Sequence, residues 1–326
     1  MVRRSQRRDP EKLRKELVDL LEDFESRLRE DDLRDKVRAL IPANYTLRDL
    51  GSSLIESDDA SSARDRILAY FRKFPRTLIH GDELMVVAGI SEYARRIREL
   101  RVEFGWPIFG GKSLIDLLDE DDQDSLGFDR DLLKPDDYFL LEDTQDRDAA
   151  FRWKLANDIR KSPLSVKDKI LDFLRRNVGQ RVTGEELKYL AKDKSEWARR
   201  VRELRTEDGW PVMTRVSGVR ELPVGVYILE QDRQAPKHDR NIPDPVRVEV
   251  LERDGFACRI CGWSRSNANP DDRTRNLLEL HHIDQHAHGG ENVAENLITL
   301  CNVHHDEVHR GGIGAEELQS LVVAKT

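Results

Sequence analysis

Cysteine is scarce in this sequence: three residues in 326, at 258, 261 and 301. That is too few and too clustered for the disulfide framework of a secreted scaffold, so metal binding becomes the leading use of the thiols. Long hydrophobic runs are missing too. No stretch approaches the ~20 consecutive apolar residues that span a bilayer, and the opening MVRRSQRRDPEK lacks the apolar segment of a signal peptide. We therefore expect a cytoplasmic protein with no membrane association. An excess of positive charge is also absent, since 55 Lys and Arg stand against 63 Asp and Glu, a net of −8. Any affinity for nucleic acid must then come from local basic surfaces.

Hydrophobic residues make up 38% of the chain and charged residues 36%. Such a balance suits several small cores under charged surfaces, and the length accommodates more than one domain of roughly 100 to 150 residues. Over the first sixty residues, Leu13, Leu17, Leu20, Leu21, Phe24 and Leu28 recur at helical spacing, followed by Val37, Leu40 and Ile41. Pro42 is expected to close this run. GSSLIESDDASS, from Gly51 to Ser62, reads as a linker.

An internal repeat follows. SEYARRIRELRVEFGWP from Ser91 stands beside SEWARRVRELRTEDGWP from Ser195, within matching stretches from Asp65 to Pro107 and from Asp168 to Pro211. In each copy an apolar helix comes first, then a Gly-acidic-Glu-Leu step at Gly81 and Gly184, then a helix whose apolar positions fall three apart: Ala94, Ile97, Leu100 and Ala198, Val201, Leu204. Gly-Trp-Pro then starts a short extended stretch, and the apolar runs Tyr138–Leu141 and Val226–Leu229 come later. Helix, helix, helix, hairpin resembles the winged-helix order. In winged-helix DNA readers the third helix enters the major groove. With those apolar faces turned to a core, Arg95, Arg96, Arg98 and Arg101, with Arg199, Arg200, Arg202 and Arg205, are left largely on the outer surface, and the resemblance implies that Arg95, Arg96, Arg98, Arg199, Arg200 and Arg202 reach DNA. The alternative is that these arginines pair with Glu99 and Glu203 on a solvated helix face. The first copy carries an acidic insertion, DLLDEDDQDSLGFDRD, that would repel phosphate. QDRQAPKHDRNIPDP, with three prolines and no apolar period, reads as a linker.

Seven of the nine histidines and all three cysteines lie between Cys258 and His309. Cys258–Cys261 is one CxxC pair, and Cys301–His304 repeats its spacing with histidine last. A Cys3His set satisfies the tetrahedral preference of structural zinc and leaves no open position. His305 and His309, four apart on a helix, project from one face and can hold a second ion. His304, about 100 degrees around the helix from His305, can serve the zinc meanwhile. LELHHI, from Leu278, reads as a strand leading into a loop, and its His281 and His282 are natural companions for that second ion. Neighbours on a regular strand face opposite sides, so the two histidines should sit at a strand end or a bulge. His286 and His288 are further loop histidines near the site.

LELHHIDQHAHGGENVAENLITLCNVHHDEVH, with the leading VLERDGFACRICG, resembles the HNH, or ββα-metal, endonuclease motif, in particular its restriction and McrA-like branch. His304 departs from that pattern, where cysteine usually ends the second pair. The resemblance implies that His281, His305 and His309 bind a catalytic ion, that His282 is the general base, and that Asn296 braces the loop. It also implies Mg2+ or Mn2+ as catalytic ion beside structural Zn2+, and double-stranded DNA as partner. The expected architecture is α+β and multidomain: a helical N-terminal segment over 1–60, winged-helix-like repeats over 62–145 and 163–232, a linker over 233–247, and a zinc-stapled HNH domain over 248–326. The function it implies is duplex DNA cleavage by a type II restriction enzyme. A modification-dependent restriction enzyme and a non-catalytic winged-helix DNA-binding protein are the alternatives. Cutting both strands with one site per chain favours a homodimer, for which the N-terminal helices are the candidate interface.

Overall fold

The computed structural model describes residues 9–323 except 30, 57–59, 119–129, 195, 216–218, 220, 237–238, 270 and 285–289. The acidic insertion, His286 and His288 therefore lie largely or wholly outside the described residues. The chain forms two compact units, Met1–Leu114 with Asp131–Trp153, and Ile115–Arg130 with Lys154–Thr326. The first joins the N-terminal helices to the first repeat, and the second joins the second repeat to the cysteine- and histidine-rich segment. Among the described residues, no helix is long and apolar enough to cross a membrane.

In the first unit, α1 (Pro10–Arg27) and α2 (Leu33–Ser53) form a helical pair, each capped by an aspartate, Asp9 and Asp32. The expected stop at Pro42 is not observed, because α2 runs through it. Pro42 and Arg38 both lie on the exposed side of α2, so the Arg38 carbonyl that proline cannot bond faces water. Ala43 and Thr46, next to Pro42 and one turn beyond it, are buried, and this packing offsets the lost bond. Gly51 belongs to α2 rather than to a linker, and a side chain there would strike the Val86 carbonyl.

The repeat is a repeat of structure. The first copy runs α3 (Ala63–Lys73), β1 (Ile79–His80), α4 (Gly81–Ala88), α5 (Tyr93–Val102), β2 (Ile108–Gly110), α6 (Gly111–Leu118) and β3 (Asp137–Leu140), its strands ordered β1-β3-β2. After α7 (Ala149–Arg160), the second copy runs α8 (Val166–Arg175), β4 (Val182–Thr183), α9 (Gly184–Leu190), α10 (Trp197–Thr206), β5 (Val212–Met213) and β6 (Val226–Leu229), ordered β4-β6-β5. Both sheets are antiparallel. Ile67, Phe71, Ile97 and Leu100 are buried in the first core, as are Ile170, Leu174, Val201 and Leu204 in the second. Ala94 is exposed instead, and Tyr93 packs against the first core in its place.

Why the glycine step recurs is a matter of space. Gly184 opens α9 directly beneath the fully buried Trp197, and a Cβ there would sit 2.7 Å from the indole. Gly81 stands in the same relation to Tyr93. Both glycines admit an aromatic ring from the following helix.

The rest of the second unit comprises α11 (Asp244–Arg253), the antiparallel pair β7 (Leu278–His282) and β8 (Leu297–Cys301), α12 (Asn302–His309) and α13 (Ala315–Val323). Leu251 and Val250 of α11 pack with Leu280 and Leu297, while Ile298, Leu300 and Leu318 form a separate cluster with Cys258 and Cys301. The stretch read as a linker over 233–247 is more than that: Asp239 and Ile242 are buried and α11 starts within it. Its prolines and missing period describe composition, whereas burial here comes from individual partners.

Gly184→Ala should lower stability by about 1–3 kcal/mol through overpacking. A chemical-denaturation midpoint equal to that of the unsubstituted chain would contradict the packing described for Trp197.

Candidate metal centres

The first centre is built by two turns. Cys258 N–H donates to the Trp263 carbonyl and Gly262 N–H to the Cys258 carbonyl, both at 2.8 Å, with Gly262 at φ 71°. This tight turn places Cys258 and Cys261 together. Cys301 ends β8 and caps α12, whose first turn carries His304. His304 Nδ1 lies 3.5 Å from Cys258 Sγ and 3.3 Å from Cys301 Sγ, while the sulfurs of Cys261 and Cys301 are 4.0 Å apart. Zinc bonds of about 2.3 Å to sulfur and about 2.0 Å to nitrogen give tetrahedral edges of roughly 3.4–3.8 Å. The four donors thus fit the ion that their chemistry prefers. A hydrogen bond from Cys301 holds the Cys258 thiol down to about 4 against the opposing effect of burial, and backbone N–H groups add to the lowering.

The second centre gathers residues distant in sequence. His281 sits on β7, His305 and His309 lie one turn apart on α12, and their rings meet nearly edge to face with centroids 4.5–5.4 Å apart. The sequence reading brings these three together as the structure does. It missed their fourth companion, Asp239, which is 3% exposed. Asp239 Oδ2 lies 2.9 Å from His305 Nε2, 3.1 Å from His309 Nε2 and 3.5 Å from His281 Nδ1. The four donors all lie within 4.8 Å of one another, and metal bonds of about 2.1 Å span such edges. Burial alone would raise the Asp239 carboxyl, but hydrogen bonds from His281, His282 and His305 outweigh it and hold the group well below the usual carboxylate range.

His282, the last residue of β7, is fully buried. It pairs with Leu297 in regular register, so the strand end, not a bulge, brings it to its neighbour's site. Asp239 Oδ1 accepts from the His282 backbone N–H at 3.2 Å and lies 3.3 Å from its Nδ1. His282 Nε2 is 2.7 Å from Asn292 Oδ1, a contact that needs the proton on Nε2. Asn292 in turn donates to the Asn241 carbonyl. Burial pulls the His282 pKa down, yet the hydrogen bonds with Asp239 and Asn292 leave it raised. Asn296 bonds residues on either side of the loop after β7. Its Oδ1 accepts from Asp284 N–H at 2.8 Å and its Nδ2 donates to the carbonyls of Asp284 and Glu291 at 3.0 Å, closing the loop after β7. Gly290 fits between them only without a side chain.

The arginines of the third helices divide. Arg96 donates to both oxygens of Glu99 at 2.6 Å, and Arg200 to those of Glu203 at 2.7 and 2.6 Å. Arg95 and Arg199 approach the same two glutamates at 3.4 and 3.2 Å. Arg98 is exposed and Arg202 half-buried. Arg205, expected on the outer surface, is buried and forms a forked pair with Asp244 of α11. It follows Val201 by four residues and so falls on the core stripe. Arg101 likewise turns inward, donating to the Ile108 carbonyl at 2.7 Å.

Residues 258–311 match the family model described as HNH endonuclease, and residues 64–141 and 167–230 match the model described as KpnI N-terminal domain. The latter two segments coincide with the two structural copies, ending at β3 and β6. No curated protein and no solved structure matches the chain. From the Cys3His geometry, one zinc per chain is expected by elemental analysis, and Cys301→Ser should lose it together with stability; a zinc-free, folded chain would contradict the assignment. Together with the two centres, the family matches support an HNH nuclease of restriction type, with DNA as its substrate.

Proposed function

We propose that the protein is an endodeoxyribonuclease, a type II restriction enzyme in its simplest form, that hydrolyses phosphodiester bonds of duplex DNA at the second centre. The observation that carries this reading is the convergence of His281, His305, His309 and Asp239 beside the buried, hydrogen-bonded His282. A divalent ion bound there supplies charge neutralisation at the scissile phosphate and the departing 3′ oxygen. Three imidazoles alone favour a transition metal, whereas the added carboxylate oxygen makes the set more acceptable to Mg2+ or Mn2+. A remnant kept only as a zinc-stapled platform would have no use for this second set.

His282 acts as general base. Asn292 fixes its tautomer by accepting the Nε2 proton, which leaves Nδ1 directed towards the centre to receive a proton from the attacking water. Asp239, next to Nδ1, stabilises the imidazolium that forms. Asn296 contributes by closing the loop and does not touch the reacting atoms. The two repeats, read as winged helices from their helix order and their strand order, bring the duplex to the centre. Arg98, which is exposed, and Arg202, which is half-buried, are among the third-helix arginines proposed to reach the duplex. Arg95, Arg96, Arg199 and Arg200 reach phosphates only by sharing or leaving the Glu99 and Glu203 carboxylates.

A homodimer completes the proposal. Leu33 (74% exposed), Val37, Leu40, Ile41 and Tyr45 leave a long apolar stripe on α2, beside Val18 and Leu21 on α1. Sedimentation should give a dimer that Leu33→Asp together with Val37→Asp converts to monomer; a monomeric unsubstituted chain on DNA would count against it.

The reading is tested by incubating the chain with Mg2+ or Mn2+ and one plasmid in methylated and unmethylated form. Discrete fragments are expected, and the preparation that yields them tells whether a modified base is required. His282→Ala should retain zinc and DNA binding while losing cleavage by at least about 100-fold; undiminished cutting would remove His282 as base. Because the base must be neutral and its pKa is raised, the rate should fall with decreasing pH from a point above the usual histidine value of about 6.5. An acid limb below that value would contradict the Asp239 contact.

A further inference from the structure

The segment leaving β6 touches the second repeat and the metal centre alternately. Asp232 pairs with Arg175 of α8 at 2.6 and 3.0 Å. Arg233 turns the other way, bonding Asp306 of α12 at 2.5 Å and approaching Glu279 of β7 at 3.5 Å. Gln234 donates to the Asp208 carbonyl and Ala235 to the Gly209 carbonyl, at the exit of α10. Asp239 then enters the metal set. The segment is a strap stitched to both sides.

Glu279 lies two residues before His281 and therefore on the same face of β7. One of its oxygens faces Arg233, and the other faces His305 Nδ1 at 3.5 Å. That Glu279 oxygen and His305 Nδ1 are sealed from solvent, and neither makes a hydrogen bond, so each has the other as its nearest charged neighbour on this side of the ring. With an ion held between the donors, a proton on Nδ1 directed at Glu279 would leave the Nε2 lone pair for that ion and would set the plane of the ring. Arg233 holds both carboxylates that flank this arrangement, one on each element that carries a ligand.

We propose that Arg233 and Glu279 are positioning residues that tie the second repeat to the metal centre by fixing the orientation and tautomer of His305. The relay rests on the reading of this set as a divalent-metal centre, and it deepens that reading by making the centre's order depend on the strap of the neighbouring repeat.

The test is Mn2+ titration of the zinc-loaded full chain, followed by electron paramagnetic resonance, with cleavage measured in parallel. Arg233→Ala is expected to weaken Mn2+ binding by about 10–100-fold, the usual range for residues behind a metal ligand, with zinc content unchanged. Arg233→Lys should restore part of the loss, since one ammonium cannot fork between two carboxylates. Glu279→Ala should weaken Mn2+ binding similarly, and the double variant should lose less than the sum. Asp232→Ala, which breaks an equally close but exposed ion pair one residue away, should leave Mn2+ affinity alone. Unchanged affinity in Arg233→Ala, strictly additive losses, an equal loss in Asp232→Ala, or an unsubstituted chain that binds no Mn2+ would overturn the relay. Mn2+ binding that follows the expected pattern without any cleavage would uphold the relay and remove the nuclease reading alone.

Discussion

The second centre depends on one buried carboxylate placed where a strand ends. An unpaired charge with the burial of Asp239 would cost several kcal/mol, so its surroundings must answer it completely. They do so from both sides. Oδ1 takes the backbone N–H and faces the ring of His282, while Oδ2 faces His281, His305 and His309. Strand alternation sends His281 and His282 to opposite faces, and the carboxylate at the strand end reaches both. The three clustered histidines and His282 are thereby held in register by a single group, with no bulge in β7.

What the sequence made legible follows the distance between partners along the chain. The members of the Cys258–Cys261 and Cys301–His304 pairs stand three positions apart, and His305 and His309 are one helical turn apart, so spacing alone builds them. The repeat was equally plain, because the glycine-on-aromatic packing of Gly81 with Tyr93 recurs as Gly184 with Trp197. Asp239 reaches partners 43, 66 and 70 residues away, and nothing in KHDRNIPDP sets it apart from a solvated acid. Asn292 was hidden differently, lying in one loop with Asn296, where composition cannot tell which amide meets His282.

Two local rules gave the wrong answer for physical reasons. Pro42 marked a helix end, but α2 has its proline on the wet side, where the unbonded carbonyl finds water. Arg205 read as surface by residue type, yet its position four after Val201 puts it on the core stripe, and Asp244 supplies the partner that burial demands. In both cases the environment, absent from a local pattern, decided the outcome.

On this reading Asp239 organises the second centre. Its most direct test is the Mn2+ affinity and plasmid-cleaving rate of Asp239→Ala beside the unsubstituted chain, with zinc content as the check on folding. Retained zinc, Mn2+ binding weakened by at least about 10-fold, and loss of cleavage are expected. Mn2+ binding and cleavage equal to those of the unsubstituted chain would show that the three histidines suffice and that Asp239 is a bystander.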